Sequence, residues 1–362
     1  MLRTIIFISF IALFVVDCLG QKKTFTGTVN DATSKAPLAF VSVQIKESNN
    51  GTTTDIDGRF SFAQTPEKFT LIVSYIGYKT KNITVENKMP LHIEIEQSSK
   101  ELEVVVIGGG ENPAHRIIQL MQQNRKKNDP EFQPSFKYNA YTVAALGGGS
   151  TLFNTERPDT LAKEIKNFKA PKQTGKDKKK DSATAVIQQL FKENYLMVTE
   201  SYTERIFRFP NRSKETVLAS KVSGLKQAAF AITSTNFQPF GFYKDYLPMG
   251  DKSFVSPVIQ GSIGLYKFRL KEILAHEEDT TFIISFEPKK GKNFNGLKGL
   301  LYINSDGYAI ENVIASAAEE KEQVMRFRIQ QKYERITGHW FPLQLNTTIA
   351  QTDIKTDSVL IY

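Results

Sequence analysis

Residues 51–62 of the chain are GTTTDIDGRFSF, and this stretch decides the fold of the first part of the protein. Asp55-Ile56-Asp57-Gly58 has the composition of a tight turn, because aspartate bonds to nearby backbone groups and glycine tolerates positive φ. Phe60 and Phe62 then alternate with polar residues, as in a strand with one buried face. The stretch predicts a turn that leads into a half-buried strand.

The same alternation continues on both sides of this stretch. Apolar residues recur at every second position in four segments, at 25–29, 41–45, 71–75 and 91–95. Asn50-Gly51 predicts another tight turn, and Gly77 predicts a bulge. About seven short strands joined by such turns, within roughly eighty residues, are typical of a small β-sandwich.

Four motifs in this region resemble a known family. They are TGTVND at 26–31, PLAFVSV at 37–43, GTTTDIDGRF at 51–60 and VSYIGY at 73–78. Together they are similar to the carboxypeptidase regulatory-like domain, a transthyretin-like sandwich found at the N-terminus of outer-membrane proteins in Bacteroidota. The resemblance covers residues 23–106 and implies an envelope location. The name of the family does not imply a peptidase activity.

The first twenty residues have the pattern of a signal peptide. Arg3 precedes an apolar run at 5–16, and Cys18-Leu19-Gly20 places small residues before Gln21. We expect the signal to export the protein to the periplasm or outer membrane of a Gram-negative bacterium. Cleavage is expected between Gly20 and Gln21 and would remove the single cysteine. The alternative is a lipoprotein acylated at Cys18, although Asp17 fits poorly before an acylated cysteine.

A linker and one amphipathic helix are predicted for residues 108–135, after a sandwich at 21–107. Gly108 to Gly110 break the strand pattern, and Asn112-Pro113 is a typical helix start. An apolar stripe follows at i, i+3, i+4 and i+7, formed by Ala114, Ile117, Ile118 and Met121. This stripe predicts a docking face on the neighbouring domain, the alternative being a partner-binding helix.

An antiparallel β domain is predicted for residues 136–362. Strand patterns occur at 136–145, 195–207, 216–223, 265–274, 281–286, 299–304, 309–315, 324–335 and 343–349. A basic flexible insertion separates the first two strands at about 154–184, and its lysines carry much of the formal net charge of +9. The alternative for these lysines is contact with anionic lipid head groups. After the signal peptide, no stretch predicts a membrane-spanning helix.

Motifs between residues 112 and 342 also resemble known families. NPAHRII at 112–118, VSGL at 222–225 and FVSP at 254–257 are similar to an uncharacterised family whose soluble region precedes a large outer-membrane β-barrel. Residues 294–342 are similar, to a lesser degree, to the half-barrel of periplasmic lipoprotein carriers. Because Tyr362 ends the sequence with no barrel, we expect a fragment or a shortened gene product. The predicted fold is mainly β: a seven-strand transthyretin-like sandwich, a short linking helix and a second, half-barrel-like antiparallel domain.

No catalytic, cofactor-binding or metal-binding residues are predicted. None of the four histidines, His92, His115, His276 and His339, starts the His-x-x-Glu pair of a zinc carboxypeptidase. His276 with Glu277, Glu278 and Asp279 is the one ligand-like cluster, although adjacent residues rarely converge on one ion. Asp55 and Asp57 resemble the start of a calcium loop, but Gln64 stands where a glutamate is needed, which favours a structural turn. Without a G-x-S-x-G motif, the sequence does not predict a hydrolase.

The sequence leaves two main hypotheses for function. The first is a non-catalytic envelope module that binds an outer-membrane or periplasmic protein, a glycan or a lipid; export argues against nucleic acid. The alternative is a periplasmic lipid or lipoprotein carrier, because the aromatic-rich segment 230–340 could line a concave, acyl-binding face. Residues 103–107, EVVVI, are predicted to be a last sandwich strand or a segment that pairs with a partner by strand addition.

Overall fold

The computed structural model of the protein describes residues 24–48, 50–63, 68–86, 90–98, 112–148, 195–224, 240–249, 252–276, 278–318, 325–353 and 356–361. The fold is mainly β, as the sequence predicts. The chain divides into two units, Met1–Lys100 and Glu101–Tyr362, which are described separately here.

The first unit is a β-sandwich. One sheet has the order β4-β1-β7 and the other has the order β3-β2-β5-β6. The strands are β1 Thr24–Asp31, β2 Ser42–Ile45, β3 Gly51–Thr53, β4 Arg59–Ala63, β5 Lys68–Ser74, β6 Lys81–Glu86 and β7 Leu91–Ile95. The alternating apolar residues of both sheets form one buried core, in which Phe25 of β1 meets Phe69 of β5 edge-to-face at 5.2 Å. Burial of these rings holds the two sheets together.

The turn predicted at 55–58 connects the two sheets. Gly58 has φ of 73°, and a Cβ there would lie 2.6 Å from the carbonyl oxygen of Val29, so only glycine fits. The prediction of a bulge at Gly77 was wrong. Strand β5 ends at Ser74, and Gly77 lies beyond it in a turn with φ of 87°.

The second unit begins with helix α1, Pro113–Asn128. Asn112 caps it, since its Oδ1 accepts the Ala114 N–H at 3.0 Å while its Nδ2 donates to the Phe268 carbonyl at 2.9 Å. All four residues of the predicted apolar stripe are buried, and the helix packs on strands of the large sheet. The stripe is therefore a docking face within this unit.

A ten-stranded antiparallel sheet forms most of the second unit, with the order β10-β9-β8-β19-β18-β17-β16-β15-β14-β13. Its strands are β8 Ser135–Gly148, β9 Tyr195–Arg208, β10 Arg212–Gly224, β13 Tyr266–Ala275, β14 Thr280–Pro288, β15 Leu297–Asn304, β16 Ala309–Ala317, β17 Met325–Ile336, β18 His339–Asp353 and β19 Thr356–Ile361. A separate hairpin pairs β11 Tyr246–Met249 with β12 Lys252–Val255. The sequence patterns did not identify β11 or β12, which have only four residues each.

One face of strands β13 to β18 is covered by helix α1 and by residues 242–249 and 252–258. Phe254 packs edge-to-face on Phe327 at 4.9 Å, and the Phe242 N–H donates to the Tyr333 hydroxyl at 2.8 Å. Many of the aromatic residues between 240 and 340 are therefore core residues of this unit. Their side chains fill this face of the sheet.

Candidate interaction surface on strands β8 to β10

Strands β8 and β9 present one solvent-exposed face, which we call the tyrosine face. It consists of Lys137, Asn139, Tyr141 and Val143 on β8 and of Glu200, Tyr202, Glu204 and Ile206 on β9. Tyr141 lies directly opposite Tyr202 in the ladder, and their relative exposures are 64% and 41%. Two aromatic side chains this exposed on neighbouring strands form an uncommon surface for a monomer.

The two tyrosines lean along the strands in opposite directions. The Tyr141 hydroxyl donates to Glu200 Oε2 at 2.5 Å, while Asn139 Nδ2 donates to the Tyr202 hydroxyl at 2.8 Å. Each partner is the diagonal neighbour on the opposite strand, about 7–8 Å away along the sheet. A tyrosine that reaches its diagonal neighbour lies over the sheet, so each ring keeps one side towards solvent.

Charged side chains surround the tyrosine pair. Lys137 pairs with Glu204 at 2.8 Å, and Lys221 of β10 lies 3.9 Å from Glu200. The hydrogen bond to Glu200 raises the pKa of Tyr141, since ionising the phenol beside a carboxylate is unfavourable. The face therefore offers two exposed rings among hydrogen-bonding groups, a combination suited to a glycan or a protein surface.

The opposite face of β9 carries a buried cation that stiffens these strands. Arg205 is 6% exposed, and its Nη2 lies 3.1 Å from Glu131 Oε1 in the 3-10 turn Pro130–Phe132. Its guanidinium lies over the Phe240 ring at 4.6 Å, and Lys244 also pairs with Glu131. Burial alone would lower the pKa of Arg205, but hydrogen bonds to Tyr138 and Glu131 raise it, so the group stays charged.

Several sequence predictions concern residues outside the described ranges. They are the cleavage site at Gly20 and Gln21, the single cysteine Cys18, the segment 103–107, the glycines 108–110 and the basic insertion at 154–184. Each of these stays a prediction.

Three histidines and the two turn aspartates that the sequence offers as ligands have hydrogen-bond partners within the protein. His92 bonds to Thr28, His276 to Thr281 and His339 to Gln133, at 2.9, 2.8 and 3.1 Å. Asp55 Oδ1 accepts the Arg59 N–H at 2.8 Å, and Asp57 pairs with the Arg59 side chain. These two aspartates build the turn that the sequence indicated.

The described residues contain neither a metal-binding cluster nor a membrane-spanning helix. Within these ranges, no three His, Cys, Asp or Glu side chains come together as a metal site would require. Among the same residues, no helix has the length and apolar character needed to span a membrane.

Comparisons with known protein families give one match for each of two regions of the chain. Residues 25–107 match the carboxypeptidase regulatory-like domain, which confirms the resemblance seen in the sandwich motifs. Residues 117–358 match the family of unknown function DUF5686, and this region is more than half of the chain. The chain belongs to the DUF5686 family. The DUF5686 match includes most of helix α1 and all strands from β8 to β18, with the tyrosine face among them.

Individual relatives match only part of this DUF5686 protein. TonB-dependent receptor P39 of Formosa agariphila is 35% identical over 106 residues, which are 29% of this chain and 10% of that receptor. TonB-dependent receptor SusC of Bacteroides thetaiotaomicron is 32% identical over 96 residues, 26% of this chain and 9% of the receptor. The chain thus covers about a tenth of the length of these curated relatives.

Two solved structures align loosely with the chain. A DUF1329 family protein from Desulfovibrio piger aligns with 69% of this chain and 91% of its own, at 13% identity and a TM-score of 0.24. A membrane-associated protein of unknown function from Bacteroides fragilis aligns with 94% of this chain and 97% of its own, at 10% identity and a TM-score of 0.18. TM-scores this low carry no argument about function.

The sequence analysis did not identify Tyr141, Tyr202, Arg205 or Glu131. The signal for the tyrosine face was present, because Tyr202 alternates in step with Glu200 and Glu204, and a tyrosine that shares a strand face with two acids tends to be exposed. The pairing of Arg205 with Glu131 had no local signal, since 74 residues separate them.

Proposed function

We propose that this DUF5686 protein is the soluble, non-catalytic interaction portion of an outer-membrane-associated cell-envelope protein. The observation that carries the proposal is the tyrosine face: two exposed rings held by hydrogen bonds on a sheet whose opposite side is fixed by Arg205 and Glu131. An exposed aromatic pair on a rigid support is a binding surface that loses little entropy when a partner docks.

The envelope location rests on the relatives. The two relatives above are TonB-dependent receptors, and the regions that match them are 26–29% of the length of this chain. The proposal includes export with cleavage between Gly20 and Gln21, and a longer parent protein whose membrane-embedded region follows in the same reading frame. The partner of the tyrosine face is an envelope protein or glycan.

Fractionation of cells that express the full gene tests the location. We expect the protein to be recovered with the envelope fraction. Its intact mass should match a chain that begins at Gln21. Exclusive recovery in the cytosol, or in the culture supernatant with no envelope pool, would overturn the proposal. Sequencing of the DNA beyond the codon for Tyr362 tests the longer parent protein.

Site-specific photo-crosslinking in cells tests the surface. A benzophenone amino acid at position 141 should form an adduct with an envelope component, while the same residue at position 246 should not. Tyr246 is the matched control, since it is 58% exposed and lies on the separate β11–β12 hairpin. Equal labelling at both positions, or none at position 141, would rule out the tyrosine face as the binding surface.

A periplasmic lipid or lipoprotein carrier is the second candidate function. Among the described residues, the face of β13 to β18 that packs on α1 is filled by side chains of α1 and of residues 242–249 and 252–258, which leaves less room for an acyl chain on that face. Mass spectrometry of organic extracts of the purified protein decides this question: a stoichiometric co-purified lipid would support a carrier.

A further inference from the structure

The hairpin between β9 and β10 ends in an exposed apolar tip. Its loop is Phe209-Pro210-Asn211, and the Phe209 N–H donates to the Pro134 carbonyl at 3.0 Å. The Phe209 ring lies 5.9 Å from that of Phe132, and the two side chains are 47% and 42% exposed. The backbone hydrogen bond fixes the loop, so these aromatic rings are held at the surface.

Three exposed cations flank this loop on the face that carries Tyr202. Arg208 lies directly opposite Arg212, and in the next row Lys214 lies opposite Ile206, which is 44% exposed. Within the described part of the chain, these three cations have no ion-pair partner at 4 Å or less, whereas Lys137 and Glu204 nearby pair with each other. We call Phe132, Ile206, Arg208, Phe209, Arg212 and Lys214 the arginine tip.

The opposed arginines indicate an external anion. Like charges directly across an antiparallel ladder destabilise it, and nothing in the described residues offsets the repulsion between Arg208 and Arg212. On the other face of the same strand, Arg205 is paired with Glu131 and stacked on Phe240. The sheet thus neutralises its buried cation internally and leaves the three exposed cations for a ligand.

We propose that the arginine tip docks on the surface of an anionic phospholipid membrane, an inference that rests on the proposed envelope location and names a lipid surface as one partner. Exposed aromatic rings next to arginine and lysine are the combination that a membrane interface favours, because the rings enter the head-group region while the cations bind phosphates. Membrane attraction grows with each basic residue near an anionic surface. An acidic protein partner would use the cations without requiring the Phe132 and Phe209 rings to enter an apolar phase.

Vesicle co-sedimentation of the purified chain from Gln21 to Tyr362 tests the proposal. We expect binding to phosphatidylglycerol/phosphatidylethanolamine vesicles, weak binding to phosphatidylcholine vesicles, and release at high salt. Arg208→Gln/Arg212→Gln/Lys214→Gln should weaken binding about tenfold or more. Phe132→Ser/Phe209→Ser should weaken binding even at low salt, because the apolar contact is lost.

A matched control removes the same charge elsewhere. Lys267→Gln/Arg326→Gln/Arg328→Gln alters three exposed cations on strands β13 and β17 and should leave binding within about twofold of wild type. A further variant with the lysines of the stretch 163–180 changed to glutamine tests the competing basic segment and should retain most of the binding. Circular dichroism verifies that each variant is folded.

Three results would overturn the inference. They are equal binding to neutral and anionic vesicles, wild-type binding by the arginine-tip variant, and full competition by millimolar inorganic phosphate, which would indicate a soluble anion as the ligand. If wild-type protein fractionates with the envelope but does not bind vesicles, the inference fails while the proposed function stands.

Discussion

Arg205 and Glu131 form an ion pair of 3.1 Å in which the two side chains are only 7% and 13% exposed. The pair joins the middle of the β8–β10 sheet to the turn that follows helix α1. A buried cation without its anion is strongly unfavourable, so we expect this contact to make a large contribution to the stability of the fold.

Glu131→Gln should lower the free energy of unfolding by about 3–5 kcal/mol, because it leaves Arg205 buried without a counter-ion. Chemical denaturation of the purified chain measures the change. Glu86→Gln is the control, since Glu86 belongs to an exposed pair with Lys68, and it should cost less than about 1 kcal/mol. Equal effects of the two substitutions would contradict a special role for the buried pair.

Asp31 is a buried carboxylate at the end of strand β1 in the sandwich. Its carboxylate accepts hydrogen bonds from the backbone of Thr33 and Ser34 and from the side chains of Tyr78 and Gln97. Burial raises the pKa of this carboxyl, but the hydrogen bonds outweigh that effect and hold the pKa well below its usual range. Burial, together with the hydrogen bond to the same carboxylate, raises the pKa of Tyr78 to about 12.

The sign of the pH dependence follows from this shift. The lowered pKa of folded Asp31 contributes stability at pH values above its unfolded pKa of about 3.9, and that contribution is lost as the pH falls towards the folded pKa. Asp31→Asn should cost about 1.5–3 kcal/mol at pH 6 and reduce the loss of stability between pH 5 and pH 2. Thermal unfolding across this range measures both effects, with Asp57→Asn as the exposed control. An unchanged acid profile in Asp31→Asn would contradict the prediction.

The Asn112 side chain makes two hydrogen bonds at the start of helix α1. Asn112→Ala removes both the cap on Ala114 and the hydrogen bond to the Phe268 carbonyl, so we expect a loss of about 1–2 kcal/mol. Gln123→Ala, on the exposed side of the same helix, should be neutral or slightly stabilising because alanine favours helix. Denaturation midpoints at constant m-value measure the difference.

Gly299 lies where strand β15 comes very close to β16. A Cβ at this position would lie 1.9 Å from the carbonyl oxygen of Ile314, a backbone atom that cannot move without disrupting the ladder. Gly299→Ala should therefore destabilise the protein by at least about 2 kcal/mol. Gly264→Ala, which meets nothing within 4 Å, should change stability by less than about 1 kcal/mol. A thermal shift of similar size in both variants would contradict the argument.

Elements that depend on a local residue pattern could be predicted before the structure was known. Period-two alternation predicted the sandwich strands, the Asp55–Gly58 turn follows from local side-chain chemistry, and the i, i+3, i+4, i+7 stripe of α1 defined its buried face. The resemblance of the sandwich motifs to the carboxypeptidase regulatory-like domain was likewise readable from the sequence and is confirmed.

Only the tertiary structure decided which of these strands meet and which side chains they bring together. The short strands β11 and β12 contain too few residues for a periodic signal, and their pairing depends on the segments beside them. Arg205 and Glu131 are far apart in sequence, while Arg208 and Arg212 oppose each other only because the hairpin register sets them there. Long-range contacts and register depend on the packing of the whole sheet, so neither the buried ion pair nor the exposed arginine tip could be inferred from local sequence.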